Sequence, residues 1–338
     1  MADKKTNYKK KEDNYSSADN ENYVDNEEQP KRSKFLSLVL SFLFTLLVLV
    51  VIAMVTIYYL QPFKNEPFFV GENNGNTNFT IGSEGSIQFY ENMRFPDKVI
   101  SYNIENACPL PKKDEMLKAF RFMEEKTILS FYQKDANAQI KIQCEDVSVP
   151  RSGLFVAGEG GPTNITSTPK YNIINEGQIL LLRESRCPKP NVEIHELMHV
   201  LGFEHSINPN NIMFNISKCS QEMGQDSIDL INTLYSVESL PDLNILNVSG
   251  RIHSRYLDFQ IEIQNQGLAP SSNGNINVYG DEKLIKSFEL NPIDTGYGKI
   301  ISIENILLVR NVKEIQFEVE IPDRELDKKN NVKKLSLD

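Results

Sequence analysis

The chain has 338 residues, with 36 Lys and Arg against 46 Asp and Glu, a formal net charge of -10 and a pI near 5.1. That length accommodates two ordinary domains besides a targeting segment. The acidic balance, with no basic patch after Leu60, excludes a nucleic-acid binder, because phosphate contact needs a basic face.

Residues 1–34 are rich in Lys, Asp, Glu, Asn and Tyr and nearly devoid of aliphatic residues. Such a segment buries too little apolar area to offset the cost of ordering, so a disordered cytoplasmic tail is expected. Phe35 to Leu60 follows without an ionisable group apart from its terminal tyrosines. As a helix it would be roughly 39 Å long at about 1.5 Å per residue, against a hydrocarbon core of about 30 Å. It therefore reads as a transmembrane anchor. The alternative is a cleaved signal peptide and a secreted product, but such peptides have an apolar region of about 7 to 15 residues. Lys31, Arg32 and Lys34 precede the span and only Lys64 lies close behind it. This asymmetry places the N-terminus in the cytoplasm and everything after Leu60 outside, with Tyr58 and Tyr59 at the outer interface. Residues 61–94 are read as a linker.

Next in chain order come a strand at Val99 to Ile104, a helix at Lys113 to Glu125 with Met116, Leu117, Phe120 and Met123 on one face, and a strand at Ala138 to Cys144. Gly158, Gly160 and Gly161, with Glu159 between and Pro162 behind, match no phosphate-binding pattern and are read as a flexible loop. Gly177 to Leu182 is another strand. All four cysteines lie after the apolar span. Two disulfides are expected there, with three possible connectivities. Cys187 and Cys219 flank the histidine motif, which favours their pairing and leaves Cys108 with Cys144; four free thiols are the alternative. Asn78, Asn164, Asn215 and Asn247 each begin an N-x-Ser/Thr sequon, compatible with a glycosylated surface.

Three of the four histidines fall in HELMHVLGFEH, as His195, His199 and His205. Asn191 can cap a helix with Glu193 in its first turn, and Val192, Leu197, Met198, Val200 and Leu201 give it an apolar surface. Within that helix His195 and His199 share a face, so two imidazoles can converge on one ion. Gly202 can adopt the left-handed conformation that ends a helix and so return His205 as a third ligand. Three neutral imidazoles leave one tetrahedral position of a zinc ion open, and a water there has its pKa lowered to about 7. Glu196, adjacent to the first ligand, is the candidate general base toward that water.

His195, Glu196, His199, Gly202 and His205 stand as in the H-E-x-x-H-x-x-G-x-x-H signature, so the segment resembles the metzincin zinc metalloproteases. Met213, in SINPNNIMF, is suitably placed for the methionine turn that lies beneath the zinc in that clan. Ser206 after the third histidine, Pro209 before Met213, and the SIDLINTLY run from Ser227 to Tyr235 are similar to the matrixins. Ser206 and Asn215 stand where an astacin would have glutamate and tyrosine. The resemblance implies an α+β fold, a twisted mixed sheet plus a zinc-binding helix, over residues 95–239. It also implies one catalytic Zn2+, a protein or peptide substrate added as a strand to one edge of the sheet, and support from Gly202 and Met213. Which edge strand serves, and whether a structural calcium ion is held, are not assignable. No cysteine precedes Cys108, so a cysteine latch of the kind that keeps matrixins latent is missing from this sequence.

From residue 240 to 338 the pattern turns to period two. Leu257, Phe259, Ile261 and Ile263, and later Ile315, Phe317, Val319 and Ile321, alternate with polar residues. With strands at Asn275 to Tyr279, Leu284 to Leu290, Lys299 to Ile306 and Val332 to Leu337, an Ig-like β-sandwich is expected. It is similar to the cell-adhesion-related CARDB domains. His253 reads as an exposed strand residue. The function expected is a membrane-anchored zinc metalloendopeptidase acting on extracellular proteins. The rival is a surface adhesion protein with an inactive metalloprotease-like domain, against which the intact Glu196 argues.

Overall fold

The computed structural model describes residues 34–60, 76–82, 85–146, 150–151, 154–184, 187–309 and 312–336. The chain divides into two units, residues 1–69 and 70–338. The disordered tail expected at 1–34 lies outside the described residues except for Lys34, the first residue of α1. In the first unit α1 (Lys34–Leu60) is a single 27-residue helix. The side chains described on it, at 38–54, are exposed, Leu, Val, Phe and Ile included. Over the described residues no helix is long and apolar enough to cross a membrane.

The second unit contains two hydrophobic cores. The first is built on a six-stranded sheet: β8 (Asn172–Leu181) pairs on one edge, in parallel, with β4 (Ile140–Cys144) and, at its start, with β1 (Met93–Arg94), β4 continues in parallel to β2 (Val99–Ile104) and β3 (Ser130–Gln133), and β7 (Gly158–Ser167) runs antiparallel along the other edge of β8. A two-residue pair, β5 (Pro150–Arg151) and β6 (Leu154–Phe155), precedes β7. Helix α2 (Leu110–Lys126) buries Lys112, Met116, Ala119, Phe120 and Met123, one face at spacings of three and four. Its Phe120 ring lies 4.2 Å from that of Tyr102 on β2 and 4.7 Å from that of Phe131 on β3. Helix α3 (Asn191–Val200) is buried at all ten positions, and α4 (Gln225–Ser236) closes the domain with Ile231, Leu234 and Tyr235 in the same core. Cys108–Cys144 ties the approach to α2 to β4, and Cys187–Cys219 ties the approach to α3 to the loop before α4. Both pairs are the favoured ones.

The second core lies between a three-stranded sheet, β13 (Gly298–Leu307), β10 (Tyr256–Asn265), β9 (Leu243–His253), and a four-stranded one, β12 (Lys283–Leu290), β11 (Gly274–Gly280), β14 (Glu314–Glu320), β15 (Val332–Ser336). Leu257, Phe259, Ile261 and Ile263 face Ile315, Phe317 and Val319 across it, with the Phe259 and Phe317 rings 4.7 Å apart. This is the alternation that period two predicts. His253 is exposed, with Nδ1 3.2 Å from an Asp258 oxygen.

Two sequence expectations differ from the structure. The glycines around 158–161 are not a loop but the first half of β7. Residues 76–82 and 85–90, within the stretch read as linker, lie along the first core: Phe79, Ile87 and Phe89 pack against it, and Gln88 bridges to Phe203.

Candidate functional site

Helix α3 opens at Pro190, and Asn191 is its first residue rather than its cap. The Asn191 amide instead donates to Lys218 O at 2.8 Å and Gln221 O at 3.4 Å. Those acceptors belong to the loop that Cys219 holds, so the side chain is drawn away from the helix amides. At the other end Gly202 has φ +94°, its N–H donates to His199 O, and the Phe203 N–H reaches back to Met198 O. These two bonds form a Schellman motif, which ends the helix and reverses the chain. A Cβ on Gly202 would lie 2.7 Å from Met93 Sδ, so close packing and backbone sign both require glycine.

The reversal brings three imidazoles together. The Nε2 atoms of His195 and His199 are 3.0 Å apart, those of His199 and His205 3.1 Å, and those of His195 and His205 3.2 Å. His195 Nδ1 is 2.7 Å from Ile212 O and His199 Nδ1 2.8 Å from Phe203 O. A carbonyl only accepts, so both Nδ1 atoms carry the proton and both Nε2 atoms present lone pairs. Lone pairs at 3.0 Å repel unless a cation lies between them. Four tetrahedral ligands at the zinc–nitrogen distance of about 2.0–2.1 Å stand about 3.3 Å apart. The three nitrogens thus fit a zinc ion, and they are the one such group among the described residues.

The electrostatics agree with that fit. Burial lowers the His195 pKa to about 4, with His205 adding and the Ile212 carbonyl opposing. Burial, then His195, lowers that of His199 to about 3. Burial also lowers His205, against Glu204. All three rings are therefore neutral at pH 7, the form that binds a metal. Glu196 is buried beside them, and burial, followed by Glu159 and Glu193, raises its pKa to about 8 while the Gly160 N–H bond pulls the other way. A dication nearby would act in the same direction as that bond.

The segment after His205 is fixed from two sides. Asn211 and Phe214 close a turn, Phe214 N to Asn211 O at 3.0 Å, that carries the fully buried Met213. Ile212 in this turn is the residue whose carbonyl orients His195. From the N-terminal side, Thr80 N donates to Ser206 Oγ at 2.9 Å and Ile207 N to Thr80 O at 3.0 Å. Asn211 Nδ2 donates to Thr77 O at 2.6 Å, and Phe79 N to Asp226 Oδ2 at 2.7 Å. Phe89 lies over the His199 ring, centroids 5.9 Å apart.

Sequence reasoning missed two buried charges here. Lys112 on α2 is almost wholly buried, and its Nζ donates to Asp146 Oδ1 at 2.7 Å, Glu145 O at 2.9 Å, Leu181 O at 3.3 Å and Leu182 O at 3.4 Å. It anchors the end of β8 from which the chain runs to α3. A lysine on an amphipathic helix gives no sign of this, since most are exposed. Glu193 is fully buried with both carboxylate oxygens unpartnered among the described residues, and burial, with Glu115 adding, raises its pKa to about 7.

A parallel sheet with one antiparallel edge strand over a helix that carries two of three convergent histidines is the arrangement of a metalloprotease domain. Residues 94–236 match the family model described as Matrixin, and this part of the chain is a matrixin domain. The match leaves α1 and the sandwich outside it. No curated protein matches the chain significantly. Among solved structures, the chain is similar to the crystal structure of a CARDB domain from Pyrococcus furiosus in complex with di-metal ions, at 17% identity and TM-score 0.26, covering 29% of this chain and 87% of that one. A solution NMR structure of a CARDB domain from the same organism is similar at 18% identity and TM-score 0.26, covering 29% and 94%.

Proposed function

We propose that this chain is a membrane-anchored zinc metalloendopeptidase that hydrolyses peptide bonds of extracellular proteins. The observation that carries the reading is the convergence of three neutral Nε2 lone pairs within 3.2 Å of one another, two of them on the helix that also holds Glu196. His195, His199 and His205 would hold the ion. Zinc so bound supplies Lewis acidity, lowering the pKa of a water and polarising a substrate carbonyl.

The protein's own part is positioning and proton transfer. Ile212 O and Phe203 O hold two rings in the ligating tautomer. Glu196 would take the proton of the attacking water and deliver it to the leaving amine. Gly158, a Cβ on which would stand 3.1 Å from Glu196 Oε1, leaves room for the carboxylate. The free edge of β7 next to Glu196 supports addition of the substrate as an extended strand.

The anchor is proposed from the 27-residue apolar helix α1 and from the basic residues at its start, with the N-terminus inside and the catalytic and sandwich domains outside. Two disulfides suit an oxidising external compartment. To test the reading, the full chain is purified in detergent, its zinc content measured, and cleavage of an unbiased peptide library compared with that of Glu196→Gln. A protein that binds zinc yet cuts nothing that the variant spares is not an endopeptidase. Protease treatment of intact cells should release the catalytic domain; its resistance would rule out the orientation.

A further inference from the structure

Strand β7 runs from the catalytic helix to the C-terminal sandwich. At its start two glycines lie against Glu196: a Cβ on Gly158 would stand 3.1 Å from Glu196 Oε1, and one on Gly160 2.3 Å from the Glu196 carbonyl oxygen. At its far end the sandwich turn that leads into β13 lies directly on it. A Cβ on Gly296 (φ +81°) would stand 2.4 Å from Thr166 Cγ2 and 3.6 Å from Ser167 O. Gly296 N donates to Asn265 O at 2.9 Å and Tyr297 N to Asp294 O at 3.0 Å, so the turn is held in this shape by the sandwich itself. Close by, Lys170 in the turn between β7 and β8 donates to Asp242 Oδ2 at 2.7 Å, and Asn330 Nδ2 donates to Asp242 Oδ1 at 2.8 Å. Asp242 is wholly buried. Breaking that pair would strand a buried charge, so the sandwich is fixed in one register on the β7–β8 hairpin.

Strand β7 pairs only with β8 among the described strands, and its other edge carries unpaired backbone groups. Such an edge is a template for an added strand. Gly160 to Thr166 spans roughly 20 Å at about 3.3 Å per residue. A peptide added antiparallel to β7 enters at Thr166 and arrives at Gly160, so the residues preceding its scissile bond lie toward the sandwich. Ile165 on β7 is 37% exposed, Tyr297, next to Gly296, 68%, and Ile300 on β13 65%. Among the described strands β13 pairs only with β10, so it too has a free edge. The neighbouring Lys299 ammonium is bound by the carbonyls of Asn291 and Pro292, so an aromatic and an aliphatic side chain, not a free cation, dominate what an incoming chain meets.

We propose that Tyr297 and Ile300, with Ile165 at the end of β7, form an accessory subsite for extended polypeptide, engaging apolar side chains roughly six or more residues before the scissile bond. The inference rests on the endopeptidase reading and deepens it: the substrate is a long unstructured segment, and the sandwich takes part in selecting it. The continuity of the β7 edge from Glu196 to Gly296 favours such an occupant over a folded partner or a second copy.

The test uses the full chain in detergent and a proteome-derived peptide library whose products are sequenced. Cuts with six or more residues before the scissile bond should outnumber, per available site, those with three or fewer by several-fold. In the double variant Tyr297→Ser/Ile300→Ser the ratio should fall to near one, and Ile165→Ser, on the catalytic domain, should lower it too. Leu284→Ser, exposed on the sandwich's other sheet, should leave it unchanged. A ratio near one in the wild type, or an unchanged ratio in both subsite variants, overturns the proposal. So does a dimer that dissociates in the Tyr297→Ser/Ile300→Ser variant, which would make the patch a contact between copies. If the wild type cuts nothing that Glu196→Gln spares, the endopeptidase reading itself falls, and the subsite with it.

Discussion

Gly160 and Glu196 lie so close that a Cβ on the glycine would stand 2.3 Å from the Glu196 carbonyl oxygen. Gly158, two residues earlier on the same strand, would put a Cβ 2.8 Å from Glu196 Cγ, so the strand's glycines set how near it comes to the helix and leave room for the carboxylate. Gly160→Ala must push strand and helix apart. The expected outcome is a loss of about 1–3 kcal/mol of stability from overpacking and at least a tenfold fall in kcat/KM, read by denaturant melts and peptide cleavage. A variant as active as wild type would show that this contact does not position the base.

Glu196→Gln keeps the shape and removes the proton acceptor. Cleavage should fall by about 10²–10⁴, the usual contribution of a general base, with one zinc still bound. His199→Ala, by contrast, should lose the zinc. If Glu196→Gln loses zinc as well, the carboxylate is helping to hold the ion, and its role as a base must be reconsidered.

Glu193 supplies a pH dependence whose sign can be worked out. Its folded pKa of about 7 lies above the ordinary value of 4.5. The folded state therefore holds a proton that the unfolded state has released between those two values. Its stabilising contribution is full below about pH 4.5 and is lost as pH rises through about 7, a difference of up to about 3 kcal/mol. Glu193→Gln cannot ionise. Its stability relative to wild type should rise between pH 5 and pH 8, measured as the shift in urea midpoint of the zinc-loaded protein. An equal midpoint difference at both pH values would mean that Glu193 finds a partner in solution.

Disulfide Cys187–Cys219 closes a loop with a sequence separation of 32. Cys187→Ser/Cys219→Ser should cost about 3–4 kcal/mol by the loop-entropy argument. Zinc affinity should fall with it, because Asn191 binds carbonyls in the tied loop. Competition against a metal indicator gives that affinity directly; unchanged affinity would separate the bridge from the site.

The histidine motif was legible because its spacing is mechanical: four residues put His195 and His199 on one face, and Gly202 supplies the only backbone sign that turns His205 back. Period two likewise exposed β10 and β14, whose inner faces are apolar but for the buried Asn265 at the end of β10. The Gly158 to Gly161 stretch was illegible for the opposite reason. Glycine is a poor strand former, and the need for it here comes from α3, a helix more than thirty residues away in sequence. Strand β9 hides because most of its later positions are exposed and show no alternation. Residues 76–80 are bound through backbone groups to Ser206, Ile207 and Asn211, and backbone groups leave no trace in a sequence.

The bridge between Cys187 and Cys219 also encloses His195, His199, His205 and Met213 within one covalent ring. When the protein is melted with its disulfides intact, the three imidazoles remain confined to that ring, and the distance each must search to find the others is bounded. Recovery of the metal site after heating should then be fast and local, whereas the reduced chain must first find its fold. Refolding yield thus becomes a property of the redox conditions as much as of zinc supply.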